Sequence, residues 1–396
     1  MSVTYPRGFL AAGISAGVKP GRKKDLALVF SQEPAIVAAV STTNKFKAAS
    51  LLLSLNHLRR AGEKQAVLLN SGNANAINGK EGMAITERIV SALAQALKLN
   101  PSSVLFASTG KIGLLLPEKK ITEALPKLIK SLSQDGAAAA KAIMTTDRVP
   151  KETARETGIS GRKGMVRIGG MAKGSGMIKP ELATMLAVLT TDAVIEKEAL
   201  DAALREAVNQ SFNLITVDDD QSTNDFVVIL ANGEAANPRI KKETKEFYLF
   251  REELTACCLE LAKKMAADGE GANKLIVVKV TGAWSLRDAR RVSRRIAGSN
   301  LVKTAIAGEN PNWGRILSSA GSCAARMNPQ KTSLSLAGTL VFDAGETISY
   351  SEKTMQKALA APEIEIELDL GAGNFSATAY GCDLTEDYVK INKDYS

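Results

Sequence analysis

The sequence predicts an α+β protein, with mixed or antiparallel sheets covered by helices and a smaller α+β unit at the C-terminal end. Three observations carry this expectation. Several apolar, β-branched runs follow one another with no helical stretch between them. A long stripe of helical period occupies residues 242–267, and the last third of the chain contains strictly alternating apolar and polar residues. The regular strand–helix alternation of a dinucleotide-binding fold is not seen.

Taken in order, strands are expected at residues 26–30, 35–40, 65–70, 104–107, 165–168, 184–191, 214–217, 226–231, 275–280 and 301–307. Helical periodicity marks residues 82–97, 122–131 and 197–209, and most clearly 242–267, where Leu249, Leu254, Cys258, Leu261 and Met265 form one stripe. Residues 333–342 and 363–370 read as half-buried strands. In the second of these Glu363, Glu365 and Glu367 interleave with Ile364, Ile366 and Leu368, so one face is wet and acidic. The boundary of the smaller unit is expected at residues 271–274, giving domains 1–273 and 274–396.

Composition narrows the function. A chain of 396 residues that is 45% hydrophobic and 23% charged is not disordered. Its apolar runs are far shorter than the roughly 20 residues of a membrane-spanning helix, and its start has no charged end leading into an apolar stretch, so a cytoplasmic protein is expected. Cys257, Cys258, Cys323 and Cys382 make no CxxC and are expected to be small buried hydrophobes. The single histidine, His57, sits among the leucines of LLLSLNHLRR and reads as a packed or half-exposed helix residue and not a catalyst. No His-rich metal site is expected, and any catalytic base has to be another group.

The net charge of +9 raises the question of nucleic acid, but aromatic residues make up only 5% and the basic residues are mostly spread along the chain. One cluster stands apart. Arg287, Arg290, Arg291, Arg294 and Arg295 recur at helical spacing, opposite Ala289, Val292 and Ile296. Such a face is either solvated and salt-bridged, or a patch for an anionic ligand or an acidic surface on another subunit.

The glycine-rich stretch GGMAKGSG at residues 169–176 invites a phosphate-loop reading, yet no Lys-Ser/Thr pair follows its GxxxxG and no third glycine completes a GxGxxG. It reads either as a flexible loop with a solvated lysine, or as backbone that lets a small ligand approach closely, with Lys173 as a cation for a carboxylate. Thr184 follows in KPELATMLAVLTTDA, where a threonine opening an apolar run is ordinary strand chemistry.

This whole segment resembles the cleavage and nucleophile motif of the ornithine acetyltransferases, the ArgJ-type enzymes of arginine biosynthesis, which cut themselves before the Thr of their ATML sequence. SGNANAINGKEGM from Ser71, ASTGKIG from Ala107, SFNLITVDDDQSTND from Ser211, DGEGANKL from Asp268, ENPNWGRI from Glu309 and the closing YVKINKDYS extend the resemblance over the full chain in the same order. It implies a layered αββα body of the N-terminal-nucleophile-like type with a smaller C-terminal α+β domain.

The resemblance also implies cleavage between Ala183 and Thr184 into chains 1–183 and 184–396, with Thr184 as nucleophile. The freed α-amino group, with an ordinary pKa near ~8, can act as the base, so the poverty in histidine fits. Thr109 and Gly110 map to the oxyanion hole. Thr146, Lys173, Thr184, Glu270, Asn392 and Ser396 map to the substrate contacts, and charge complementarity suits Lys173 to an α-carboxylate and Glu270 to an amino group. Asp219 and Asn273 stand where Gly and Thr are usual, and the chain stops at Ser396, a residue or more early.

The expected reaction is ping-pong transfer of acetyl from N2-acetyl-L-ornithine to L-glutamate, with no metal and no resident cofactor. Use of acetyl-CoA as a second donor stays open. The expected assembly is an α2β2 heterotetramer acting on small molecules, not on nucleic acid or membrane. A related self-processing amidase or aminopeptidase, passing its acyl group to water, is the alternative reading.

Overall fold

The computed structural model describes residues 2–179 and 185–394. Ala183, Thr184 and Ser396 lie outside the described residues. The chain divides into two compact units, one made of Met1–Gly174, Glu181–Phe212 and Gln221–Ala262, the other of Ser175–Pro180, Asn213–Asp220 and Lys263–Ser396. The division falls within a helix, and the second unit takes in two stretches that precede it in sequence.

The first unit contains β1 (Phe9–Ile14), β2 (Leu26–Ser41), α1 (Ala49–Arg59), β3 (Lys64–Asn73), α2 (Gly79–Leu97), β4 (Val104–Lys111), α3 (Glu118–Lys130), α4 (Ala137–Ala142), β5 (Lys151–Gly161), β6 (Gly164–Lys173), β7 (Leu186–Thr191), α5 (Lys197–Asn209), β8 (Phe226–Ala231) and most of α6 (Lys245–Ala267). Among the described residues its strands run in the order β4-β3-β2-β8-β7-β6-β5, with β1 beside β2. The runs at 26–30 and 35–40 are a single strand. Its first half pairs with β3 and its second with β8, and the register breaks between, where Gln32, Glu33 and Pro34 are exposed. Proline has no N–H to give to a ladder, so it suits the bend.

That bend creates two sheet layers. Val67, Leu69, Leu105 and Ala107 of one half share a core with Met171, Val188, Val228 and Leu230 of the other. The alternate residues Ala66, Leu68, Val104 and Phe106 face outward and pack with Ile89 and Leu93 of α2 and Ile121 and Leu125 of α3. On the opposite side α5 packs against β2, and the Thr153 hydroxyl of β5 donates to Glu260 of α6 at 2.7 Å. The body is therefore layered helix–sheet–sheet–helix. Its inner strands are apolar on both faces, which is why they read as continuous runs.

The second unit contains β9 (Leu275–Ala283), α7 (Leu286–Ala297), α8 (Asn300–Ala307), α9 (Gly314–Gly321), β10 (Ser333–Leu336), β11 (Thr339–Asp343), β12 (Glu346–Thr347), α10 (Glu352–Leu359), β13 (Glu363–Asp369), β14 (Phe375–Cys382) and α11 (Glu386–Asp394). Its sheet runs β12-β11-β10-β13-β9-β14. Ile364, Ile366 and Leu368 of β13 enter a core with Val292 and Ile296 of α7, and Glu363 and Glu365 stay exposed.

Three expected strands are corrected. Residues 333–342 are not one strand but the antiparallel pair β10 and β11, because Ala337 and Gly338 take positive φ and turn the chain between them. Residues 301–307 form helix α8, because Val302, Ala305 and Ile306 recur at helical spacing on its buried side and Gly308 ends it. Residues 214–217 are not a strand: Phe212–Leu214 is a 3-10 turn, and Ile215 makes an isolated bridge to Tyr380. Among the described residues no helix is long and apolar enough to cross a membrane.

Candidate active site

Strand β4 ends in ASTGK, and β3 runs parallel to it with Gly72 opposite Gly110 and an irregular register at Asn73. Gly110 adopts φ +133°, and a Cβ there would sit 2.4 Å from the carbonyl carbon of Gly72. Only glycine fits. A local irregularity of this kind turns a strand end out of its ladder, which is how such ends come to present polar groups. Thr109, just before, is buried.

Lys173, at the end of β6, is also buried, and its Nζ donates to the Thr109 hydroxyl at 3.3 Å. The same ammonium lies 3.9 Å from Oδ2 of Asp147. Asp147 further accepts from Lys151 Nζ at 2.7 Å and from the backbone N–H groups of Gly174 and Thr145 at 2.8 and 2.9 Å. Burial alone would raise the pKa of Asp147, but Lys173, Lys151 and these hydrogen bonds outweigh it and hold the carboxyl well below the usual range. Thr146 is half-buried on the loop that Asp147 anchors.

A third lysine belongs to this neighbourhood. Lys19 donates from Nζ to the carbonyls of Met144 and Lys24 at 2.5 and 3.1 Å, and a Cβ on Gly72 would sit 2.7 Å from its Cγ. Burial first, then the charge of Lys173, bring its pKa down to about 8 against the pull of Asp25 and Asp147. Lys151 and Lys173 thus flank Asp147, and Lys19 is near enough to feel the charges of Asp25, Lys173 and Asp147. Asp147 and Lys151 were legible only as a four-residue spacing, and Lys19 carries no signal in the sequence.

The glycine-rich stretch is not a loop over most of its length. Gly169 and Gly170 lie inside β6, where a Cβ would come within 2.3 Å of the Ser2 carbonyl and 2.6 Å of Leu189 respectively. These glycines serve packing, and Lys173 is no solvated cation. The second unit uses the end of the stretch: a Cβ on Gly176 would sit 2.5 Å from the Glu270 carboxyl carbon. Glu270 Oε2 accepts from Asn392 Nδ2 of α11 at 2.8 Å, and the Glu270 N–H donates to the Ser175 carbonyl at 2.8 Å.

In the same unit Asp218 accepts from the N–H groups of Met177 and Ile178 at 2.6 and 2.8 Å, and from the Tyr388 hydroxyl at 3.4 Å. Burial raises the pKa of Asp218, and it raises that of Tyr388 along with the nearby carboxylates. Asp219 takes a left-handed backbone with φ +63°. That is a physical reason for glycine at this position, and aspartate is among the few other residues that tolerate it.

Of the residues named from the sequence, then, Thr109 and Lys173 meet in the first unit beside the loop of Thr146, and Glu270 and Asn392 meet in the second. His57 is a packed helix residue whose Nδ1 lies 2.8 Å from the Val104 carbonyl. Cys257, Cys258 and Cys382 are buried, and burial pushes the Cys257 thiol up to about 12. The arginine face lies on α7, where Arg291 bonds the Ala324 carbonyl and Arg295 donates to the Ser322 hydroxyl at 3.3 Å. Among the described residues no cluster of three or more His, Cys, Asp or Glu could hold a metal ion.

Comparison with known proteins identifies the family. The ArgJ family model matches residues 10–396. The arginine biosynthesis bifunctional protein ArgJ of Symbiobacterium thermophilum is 47% identical over 396 residues, covering 99% of this chain and 98% of its own. That of Bacillus licheniformis is 44% identical over 394 residues, covering 100% and 96%. The crystal structure of the ArgJ protein from Bacillus halodurans superposes with a TM-score of 0.50 at 41% identity, covering 52% of this chain and 96% of that one. The chain belongs to the ArgJ family.

Proposed function

We propose that this protein is a self-cleaving threonine-nucleophile acyltransferase of arginine biosynthesis, moving acetyl from N2-acetyl-L-ornithine to L-glutamate. The observation that carries the reading is the buried contact of Lys173 with the Thr109 hydroxyl, beside a Gly110 that no other residue can replace. A hydroxyl that accepts from an ammonium keeps its own proton free to donate. That is the property an oxyanion donor needs.

In this reading the chain is cut between Ala183 and Thr184 into residues 1–183 and 184–396. Thr184 Oγ attacks the acetyl carbonyl while the freed α-amino group of Thr184 takes the hydroxyl proton. The oxyanion is met by the Thr109 hydroxyl and the Gly110 N–H. On collapse the C–N bond breaks, ornithine leaves with that proton, and acetyl remains as an ester on Thr184. The amine of glutamate then attacks the ester, releasing N-acetylglutamate and restoring the threonine hydroxyl. No metal takes part in these steps.

Thr146, Lys173, Glu270 and Asn392 are assigned to the substrate, with Lys173 toward a carboxylate and Glu270 toward an amino group, and Ser396 is assigned to the same task. The hydrogen bond from Asn392 to Glu270 supports a shared role for that pair. The relatives are named bifunctional, and acetyl-CoA is proposed here as a second acetyl donor. The processed chains are proposed to assemble as an α2β2 heterotetramer. Incubation with N2-acetylornithine tests the reaction: one equivalent of ornithine per enzyme without glutamate, and sustained release in step with N-acetylglutamate only when glutamate is present, is the expected result. Free acetate released without glutamate would instead mark a hydrolase.

A further inference from the structure

Asp225 stands at the start of β8 and is wholly buried. Its Oδ1 accepts the backbone N–H of Met185 at 2.9 Å, and the next residue, Phe226, donates its own N–H to the Met185 carbonyl at 3.0 Å. Met185 is therefore gripped on both of its backbone polar groups. The nitrogen that Asp225 holds belongs to the peptide bond joining Thr184 to Met185. On the other side Thr42 donates its N–H to the Asp225 carbonyl at 3.0 Å, which ties the residue into the edge of β2.

The second carboxyl oxygen of Asp225 is buried with no hydrogen-bond partner among the described residues. This is expensive. A buried acceptor left unpaired costs ~1–3 kcal/mol, and a buried charge more. The buried carboxylate of Asp147, by contrast, has two lysines and two N–H groups around it. Burial accordingly pushes the Asp225 carboxyl well above the usual range, against the opposing pull of the Met185 N–H, the Thr42 side chain and, last, the charge of Lys173.

We propose that Asp225 is the positioning residue of the nucleophile, holding the peptide nitrogen that follows Thr184 so that the threonine is aimed both for chain cleavage and for acyl transfer. The inference rests on Thr184 being the nucleophile. It adds a residue whose part is to hold that threonine and not to touch substrate, and it gives a task to the buried acceptor that meets the chain one residue past the cleavage point.

The test compares the wild-type full chain with Asp225→Ala and Asp225→Asn, following chain cleavage and acetyl uptake by denaturing mass spectrometry. Steady-state rates are taken per folded molecule, counted by a thermal melt. Asp225→Ala is expected to slow both cleavage and kcat about tenfold or more, the equivalent of one lost hydrogen bond, with KM for glutamate unchanged. Asp225→Asn keeps an acceptor for the Met185 N–H and is expected to restore both to within about threefold, with the pH profile of kcat unmoved, as befits a group that holds the chain and moves no proton.

A purely architectural aspartate would lower the yield of folded protein and leave kcat per folded molecule alone, which overturns the proposal. So does a folded Asp225→Asn that is as slow as expected for alanine, an outcome readable even if Asp225→Ala fails to fold. A wild-type chain that neither cleaves nor takes up acetyl overturns the nucleophile assignment and this inference together. A wild type that does both beside an equally fast Asp225→Ala overturns only this inference.

Discussion

Lys173 sets its ammonium 3.3 Å from the hydroxyl oxygen of Thr109, joining the ends of two strands 64 residues apart in sequence. Both groups are buried, so the contact is made in a low-dielectric setting where a cation orients a hydroxyl strongly. The threonine is left with its proton directed elsewhere. This pairing is the basis on which Thr109 is proposed as an oxyanion donor.

Thr109→Ala should therefore lower kcat by roughly 10²–10³-fold, as the loss of one oxyanion donor does, while leaving the melting temperature nearly unchanged. Thr109→Ser, which keeps the hydroxyl, should recover most of the rate. Steady-state kinetics beside thermal melts separate the two effects. Equal activity in Thr109→Ala would remove the hydroxyl from the mechanism.

Asp147 compensates Lys151 and Lys173 in the interior. Asp147→Asn would remove one counter-charge from both ammonium groups, and breaking a buried pair in this way costs up to about 3–5 kcal/mol. Denaturant unfolding should report a loss of that size. Because the folded Asp147 carboxyl titrates below its unfolded value, its contribution is present above about pH 4 and fades as the pH falls further through the folded pKa.

Lys19 gives a signature at the alkaline end. Folded Lys19 loses its proton near pH 8, whereas the unfolded chain holds it to 10.5, so between those values the unfolded state binds more protons and Lys19 contributes rising stability with pH. Lys19→Met should remove that rise. Its hydrogen bonds to Met144 and Lys24 are lost at every pH, so the diagnostic quantity is the slope of the wild-type minus variant melting temperature from pH 8 to 10, expected to be positive. A flat difference would show that Lys19 is not a depressed lysine.

Gly176 leaves the space that the Glu270 carboxyl fills, 2.5 Å from where a Cβ would lie. Gly176→Ala should push Glu270 away from Asn392 and raise KM for the amino-acid substrates about tenfold, with a smaller effect on kcat. Kinetics with N2-acetylornithine varied would show this. An unchanged KM would take Glu270 out of substrate binding.

Much of the fold was legible because the inner strands are apolar on both faces. Residues 65–70, 104–107 and 226–231 announce themselves as unbroken β-branched runs, and Glu363 to Leu368 by alternation. What misled was short apolar segments with two readings: Val302, Ala305 and Ile306 fit a helix face as well as a strand. Strands β1 and β5 escaped notice because FLAAGI is rich in small residues and KETARETGISG is half polar. At the site, motif residues such as Thr109, Lys173 and Glu270 could be named, but not their partners. Lys19 reaches the site through the fold alone, and Asp225 matters through an N–H that no side-chain pattern encodes.

The most direct test of the account is denaturing mass spectrometry of the purified protein with and without N2-acetylornithine, beside Thr184→Ala. The account predicts two chains, residues 1–183 and 184–396, with one acetyl group appearing on the second, and a single unmodified chain for Thr184→Ala. A wild-type chain that stays whole and never acquires acetyl would contradict it.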